Sequence, residues 1–194
     1  MQDVPVRSAQ DIHIVVMGVA GCGKSQVGQR LAARLGLPLI EGDTFHSAES
    51  VAKMRDGVPL TDADRAGWLR TLGAQLASQR GAVLACSALR RSYRDTLREA
   101  AEAKSQLCFL FLNIDEATSQ ARVAARKNHF YPASLVASQF ATLEDPSGEP
   151  RVLTLDGTQS PDVITALAVE WLQKINAQSS ATKQHTSGNI YAKP

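Results

Sequence analysis

The chain has 194 residues, of which 44% are hydrophobic and 21% charged, with a formal net charge of +2. This length fills one core and is short for two domains; the small charge, with no basic block interleaved with aromatics, gives no nucleic-acid surface, and no apolar run approaches the roughly 18 residues of a membrane span. Three cysteines, Cys22, Cys86 and Cys108, have neither metal-ligand spacing nor an even count for pairing, which points to a reducing, cytoplasmic compartment.

Residues 1–11 contain no apolar core of the signal-peptide type and one arginine, so neither secretion nor organelle import is expected. Ile12–Met17 is short, β-branched and almost continuously apolar, as suits a strand buried on both faces. Gly18, Val19, Ala20, Gly21, Cys22, Gly23, Lys24 and Ser25 then fit the phosphate-binding template G-x-x-x-x-G-K-[ST] at every fixed position. Val27, Leu31 and Leu35 follow at helical spacing, and Gly36 supplies a C-cap. In this strand–loop–helix context the glycines let backbone N–H groups converge on a polyphosphate at the positive end of a helix. Lys24 would bridge the β and γ phosphates, and Ser25 would offer its hydroxyl to Mg²⁺.

A second strand over Leu37–Ile40 ends at Glu41-Gly42-Asp43. Ser47 caps a helix to about Asp56, stopped by Gly57 and Pro59, and Asp62 opens a longer one to Arg80. Ala82–Cys86 reads as a third buried strand. The capping-box spacing of Ser92 and Asp95 predicts a helix from about Tyr93 to Glu102. Leu107–Leu112 is a fourth strand. Asp115 opens a helix with Ala117, Ala121 and Ala124 inward, broken by the basic stretch from Arg126 to Pro132, and Pro132 begins another to about Leu143. Arg151–Leu155 is a fifth strand, and Ser160-Pro161 starts a last helix to about Ile175. The polar residues 177–194 read as a disordered tail after a single domain over 1–176. Strands alternating with helices predict an α/β fold, a five-stranded parallel sheet with helices on both faces and ligands at the strands' carboxyl ends.

Those ends carry the candidate chemistry. Asp43 could hold Mg²⁺ through water, take a proton from an attacking hydroxyl, or only shape its turn. His46 lies in the same turn, and Lys53 two helical turns further along can share its face; a structural histidine and a surface lysine are the plainer alternatives. After the third strand, Arg90, Arg91, Tyr93 and Arg94 surround a helix N-terminus, suited to an anionic or polyhydroxylated ligand or to pairing with Asp95. Arg122, Arg126 and Lys127 lie in a segment that reads either as a lid over the phosphates, within about 122–143, or as a basic helical corner.

Several longer strings carry more information than the phosphate loop. They are Gly42–His46, Lys53–Arg65 with Trp68-Leu69, Cys86–Asp95 with Leu97-Arg98, and His129–Pro132 with Ser138-Gln139-Phe140 and Leu143-Glu144. Through them the chain, over roughly Ile12–Ile175, resembles the gluconate kinases, P-loop sugar-acid kinases related in fold to shikimate and nucleoside monophosphate kinases. The resemblance implies transfer of the ATP γ-phosphoryl group to the 6-hydroxyl of D-gluconate, with Mg²⁺ and a homodimer. It makes Asp43 the base or metal-side acid, sets His46, Lys53, Arg91 and Arg94 near gluconate, and places Arg126 over the phosphates. Ser47, Ser50, Gly67 and Tyr131 depart from the family's usual residues, Ser50 close to the expected sugar-acid pocket. A kinase of another hydroxy acid or of a nucleoside monophosphate keeps the same fold. A nucleotide switch fits less well, because the guanine-reading N-K-x-D string is absent.

Overall fold

The computed structural model describes residues 12–101, 106–125 and 133–187. Its centre is β1 (Ile12–Met17), every residue of which is buried, because parallel neighbours flank it and helices cover both its faces. The other strands are β2 (Leu39–Glu41), β3 (Ala82–Ala85), β4 (Gln106–Asn113) and β5 (Val152–Asp156), in the sheet order β2-β3-β1-β4-β5, all parallel. β2 is thus separated from β1 by β3, although β2 follows β1 in the chain. The order reverses direction at β1, which places the crevice beyond its carboxyl end where open α/β sheets bind ligands.

Seven helices complete the described chain: α1 (Lys24–Leu35), α2 (Ala48–Arg55), α3 (Asp62–Ser78), α4 (Arg91–Ala101), α5 (Glu116–Ala124), α6 (Val136–Thr142) and α7 (Pro161–Ser187). On one face of the sheet, Ile14 and Val16 meet Val27 and Leu31 of α1 and Ile164, Ala168 and Leu172 of α7. On the other, Val15 and Met17 meet Leu72 and Leu76 of α3 and Leu97 of α4. Each of the buried Val, Leu, Ile and Met side chains among these contributes about 1.5–3 kcal/mol relative to exposure. No described helix is long and apolar enough to cross a membrane.

The expected elements all occur, with four differences. α3 is capped by Thr61 in a reciprocal capping box with Asp64. α4 begins at Arg91, so Ser92 lies inside its first turn and is not the cap; a distant carboxylate, Glu144 Oε2, accepts from Arg91 N at 2.6 Å. The inner face of α5 is not the alanine stripe: Ala117, Ala121 and Ala124 are exposed, while Ser119 and Val123 are buried. Ser119 Oγ donates to Ala20 O at 2.7 Å, so a polar side chain turns α5 toward the phosphate loop. Finally, α7 continues to Ser187, into the stretch expected to be a tail.

Candidate active site

β1 ends in the glycine loop, whose last residue, Gly23, has φ 100° and is the N-cap of α1. No side chain caps that end, and its first turn holds no acid, so the N–H groups there are left for an external acceptor. A Cβ built on Gly23 would meet nothing within 4 Å, so the bare backbone faces open space. Beneath the loop Val19 and Cys22 are buried, and Gly18 N donates to Ser87 O at 3.3 Å, tying the loop to the end of β3. Lys24 Nζ donates to Val19 O at 3.0 Å, folded back over the loop's own carbonyl.

A cavity opens along this edge, lined by Ala20, Gly21, Gly23, Lys24 and Ser25 on one side and by Asp43, His46, Arg65 and Trp68 on another. Ser87, Ser138 and Gln139 add polar groups, and Met54, Leu60 and Leu135 an apolar wall. Gly42 makes the turn possible, because a Cβ there would come within 2.8 Å of Ala85 O and 2.9 Å of Cys86 Cβ. With that close approach a 3-10 turn over Gly42–Phe45 brings Asp43 to the cavity. Trp68 fixes the turn: its Nε1 donates to Gly42 O at 2.8 Å, and its ring stacks on His46 at 4.5 Å between centroids, 11° from parallel. The His46 pKa lies below the ordinary imidazole value, chiefly because burial disfavours the cation, with Arg65 adding to that and Asp43 opposing it.

Two residues in contact with the phosphate loop were not singled out from the sequence. Glu41 closes β2, and its Oε2 accepts from Ser25 Oγ at 3.0 Å, so a carboxylate stands beside the hydroxyl expected to face Mg²⁺. Gln139 of α6 accepts from Ala20 N at 2.6 Å, occupying a loop amide from the direction of the expected lid. Strand order was needed to find the first, and the packing of α6 over the loop to find the second.

The expected substrate contacts divide. Asp43 and His46 line the cavity; Lys53, Arg91 and Arg94 do not. Lys53 pairs with Asp64 at 2.7 Å and with Glu49 at 3.4 Å, stapling α2 to the start of α3, and its hydrogen bond holds the Asp64 carboxyl down to about 2. Arg91 is exposed, its Nε 3.8 Å from Asp95. Arg94 is 0% exposed and cannot touch a ligand in this arrangement. Its guanidinium donates to Ala88 O and Leu89 O at 2.9 and 3.0 Å, to Glu144 O at 3.2 Å, and to the Glu149 carboxylate. Ala88 has φ 44°, an uncommon conformation for a residue with a side chain, and the Arg94 bond clamps it directly after Ser87. Ser50 is also buried, hydrogen-bonded with Ser47 at the cap of α2, and does not line the cavity.

Arg122 lies on the far side of the loop, donating to Gly21 O at 3.2 Å and Gly157 O at 2.8 Å. With Gln26, Gln159 and Pro161 it lines a second cavity that shares Gly21 and Gly23 with the first. Arg126 and the rest of the 126–132 stretch lie outside the described residues. No group of three or more His, Cys, Asp or Glu among the described residues could hold a metal by itself.

A family profile described as an AAA domain matches residues 14–146. The gluconokinase of Gluconobacter oxydans (strain 621H) is 46% identical over 157 residues, which cover 78% of this chain and 85% of that protein. The crystal structure of a gluconokinase from Sinorhizobium meliloti 1021 superposes with a TM-score of 0.81 at 44% identity, over 89% of this chain and 98% of that one. A deoxyadenosine kinase from M. mycoides shares the fold at 13% identity, with a TM-score of 0.61 over 84% of this chain and 99% of its own. With a phosphate loop, an acidic turn and a polar cavity between them, and with identity of this extent over most of its length, the chain belongs to the gluconokinase family.

Proposed function

We propose that the protein is an ATP-dependent gluconokinase, transferring the γ-phosphoryl group to the 6-hydroxyl of D-gluconate to give 6-phosphogluconate and ADP. The observation that carries this reading is a single cavity in which the phosphate loop, Asp43 and several hydroxyl-binding groups face one another, in a chain with gluconokinase relatives. The nucleotide's phosphates lie on the loop amides and the first turn of α1, and its base in the cavity between Arg122 and the Gly157–Pro161 turn. Gluconate enters the cavity between the loop and the acidic turn, its hydroxyls toward Ser87, Ser138, Gln139 and His46.

The donors present fit magnesium. Ser25 Oγ and the Glu41 carboxylate are hard oxygens side by side, and Mg²⁺ in kinases takes few protein ligands because the phosphates supply the rest. When bound, the ion neutralises charge on the β and γ phosphates. Asp43, on the cavity side of the turn, accepts the proton of the 6-hydroxyl, so the two carboxylates at the end of β2 have different duties. Lys24 leaves Val19 O to meet the transferring group, and Gln139 yields Ala20 N to a phosphate oxygen, which links nucleotide arrival to the position of α6. Three free, buried cysteines suit a reducing cytoplasm.

Coupled ADP release measured across gluconate, shikimate and nucleoside monophosphates tests the proposal. Gluconate is expected to give a kcat/KM at least about a hundredfold above the others, the scale at which unpaired polar groups reject an analogue. Preferred turnover of another acceptor would replace gluconate as the substrate while leaving the kinase chemistry in place.

A further inference from the structure

The three cations expected near the sugar acid are committed elsewhere, yet a carboxylate entering a partly enclosed cavity needs a positive partner. Lys24 and Arg65 are the two permanently charged cations that line the cavity among the described residues, and Lys24 belongs to the phosphates. Arg65 sits in the first turns of α3, half-buried, one N–H donating to Leu60 O at 2.5 Å and its guanidinium carbon 5.8 Å from the centre of the Tyr93 ring. Neither contact neutralises it. The nearby acids of that helix are engaged with others: Asp62 with Arg90 and Tyr93, and Asp64 with Lys53 and Thr61. No ion pair to Arg65 occurs among the described residues, so the guanidinium is held in place by a carbonyl and an aromatic face while its remaining N–H groups await an anion.

We infer that Arg65 binds the carboxylate of the acceptor, and so selects a sugar acid over the neutral polyol of the same length. The inference rests on the gluconokinase reading and adds which side chain recognises the acid. The carboxylate lies at the opposite end of a six-carbon chain from the 6-hydroxyl, so anchoring it on α3 directs the hydroxyl toward Asp43 and the phosphate loop. The Leu60 carbonyl fixes the fork's orientation, which an ammonium group would not reproduce.

The test compares D-gluconate with D-glucitol, which has a CH₂OH in place of the carboxylate, in the wild-type chain and in Arg65→Gln and Arg65→Lys. Arg65→Gln is expected to raise the gluconate KM at least about tenfold, the scale of a charge-assisted hydrogen bond. Its kcat/KM for glucitol and its ATP affinity should stay within about threefold of wild type by the same accounting, so the preference for the acid collapses. Arg65→Lys should fall between, and it carries the test alone if Arg65→Gln does not fold. A gluconate KM unchanged in the variants, or an equal loss on both acceptors, would overturn the assignment and leave Arg65 a packing residue. A wild-type chain inert toward gluconate would overturn this inference together with the reading it rests on.

Discussion

Lys24 reaches back over its own loop, its Nζ donating to the Val19 carbonyl. Replacing Lys24 with methionine keeps most of the side-chain length and removes the charge proposed to meet the transferring phosphoryl group. Lys24→Met is therefore expected to lower kcat by at least about a hundredfold in a steady-state ADP-release assay. Near-normal turnover would remove Lys24 from the chemistry. Asp43→Asn keeps the shape of the turn and removes the proposed base; kcat should fall with little change in ATP affinity, whereas a rise confined to the gluconate KM would make Asp43 a binding group. At this scale the sequence was most informative where a residue's own neighbours define its role, as in the glycine loop. It was least informative for cations: Arg91 and Arg94 follow the right strand, but the helix between them has two sides. Arg91 points outward, and Arg94, three residues on, inserts under the Glu144–Glu149 loop. Nothing in the local spacing distinguishes the two, because the partner that claims Arg94 comes 55 residues later.

Arg94 also shows how elements are joined. α4, the end of β3 and the loop before β5 meet on its guanidinium, with Glu149 bridging to Arg98 at 2.7 Å. Burial alone would raise the Glu149 pKa, but the bonds from Arg94 and Arg98 outweigh it and hold the carboxyl below its ordinary value. A carboxyl depressed in the folded state gives stability that is complete above its unfolded value, near 4.5, and is lost as the pH falls through the folded value. Arg94→Met, which removes the fully buried partner of Glu149 and leaves it Arg98 alone, is expected to cost about 3–5 kcal/mol in urea unfolding at pH 7. Glu149→Gln should also be destabilised at pH 7, with the gap to wild type narrowing below about pH 4.5; a gap independent of pH would show that the charge contributes nothing. Elements themselves were legible because periodicity and caps are local signals. The face of α5 was not, since a stripe of alanines is apolar enough to look inward, while Ser119 has a specific acceptor in the phosphate loop.

For the whole molecule, the order β2-β3-β1-β4-β5 gathers three loops at one edge of the sheet, and alternation of strands and helices along the chain leaves that order open. At the opposite end of β1 lies His13, fully buried, with both ring nitrogens lacking a hydrogen-bond partner among the described residues. Burial lowers its pKa below 6.5, so the unfolded chain binds the proton more readily and stability declines as pH falls below that value. His13→Leu should flatten the pH dependence of the urea midpoint between about pH 6.5 and 5; an unchanged slope would place the acid sensitivity elsewhere.

The central claim joins these scales: ATP held at one edge of the sheet gives its terminal phosphoryl group to the far end of a six-carbon acid. The most direct measurement is ³¹P NMR of the product formed from ATP, magnesium and D-gluconate. The account predicts one new phosphomonoester, coupled to the two protons at C6, formed in step with ADP. Inorganic phosphate alone, or an ester at any other carbon, would contradict it.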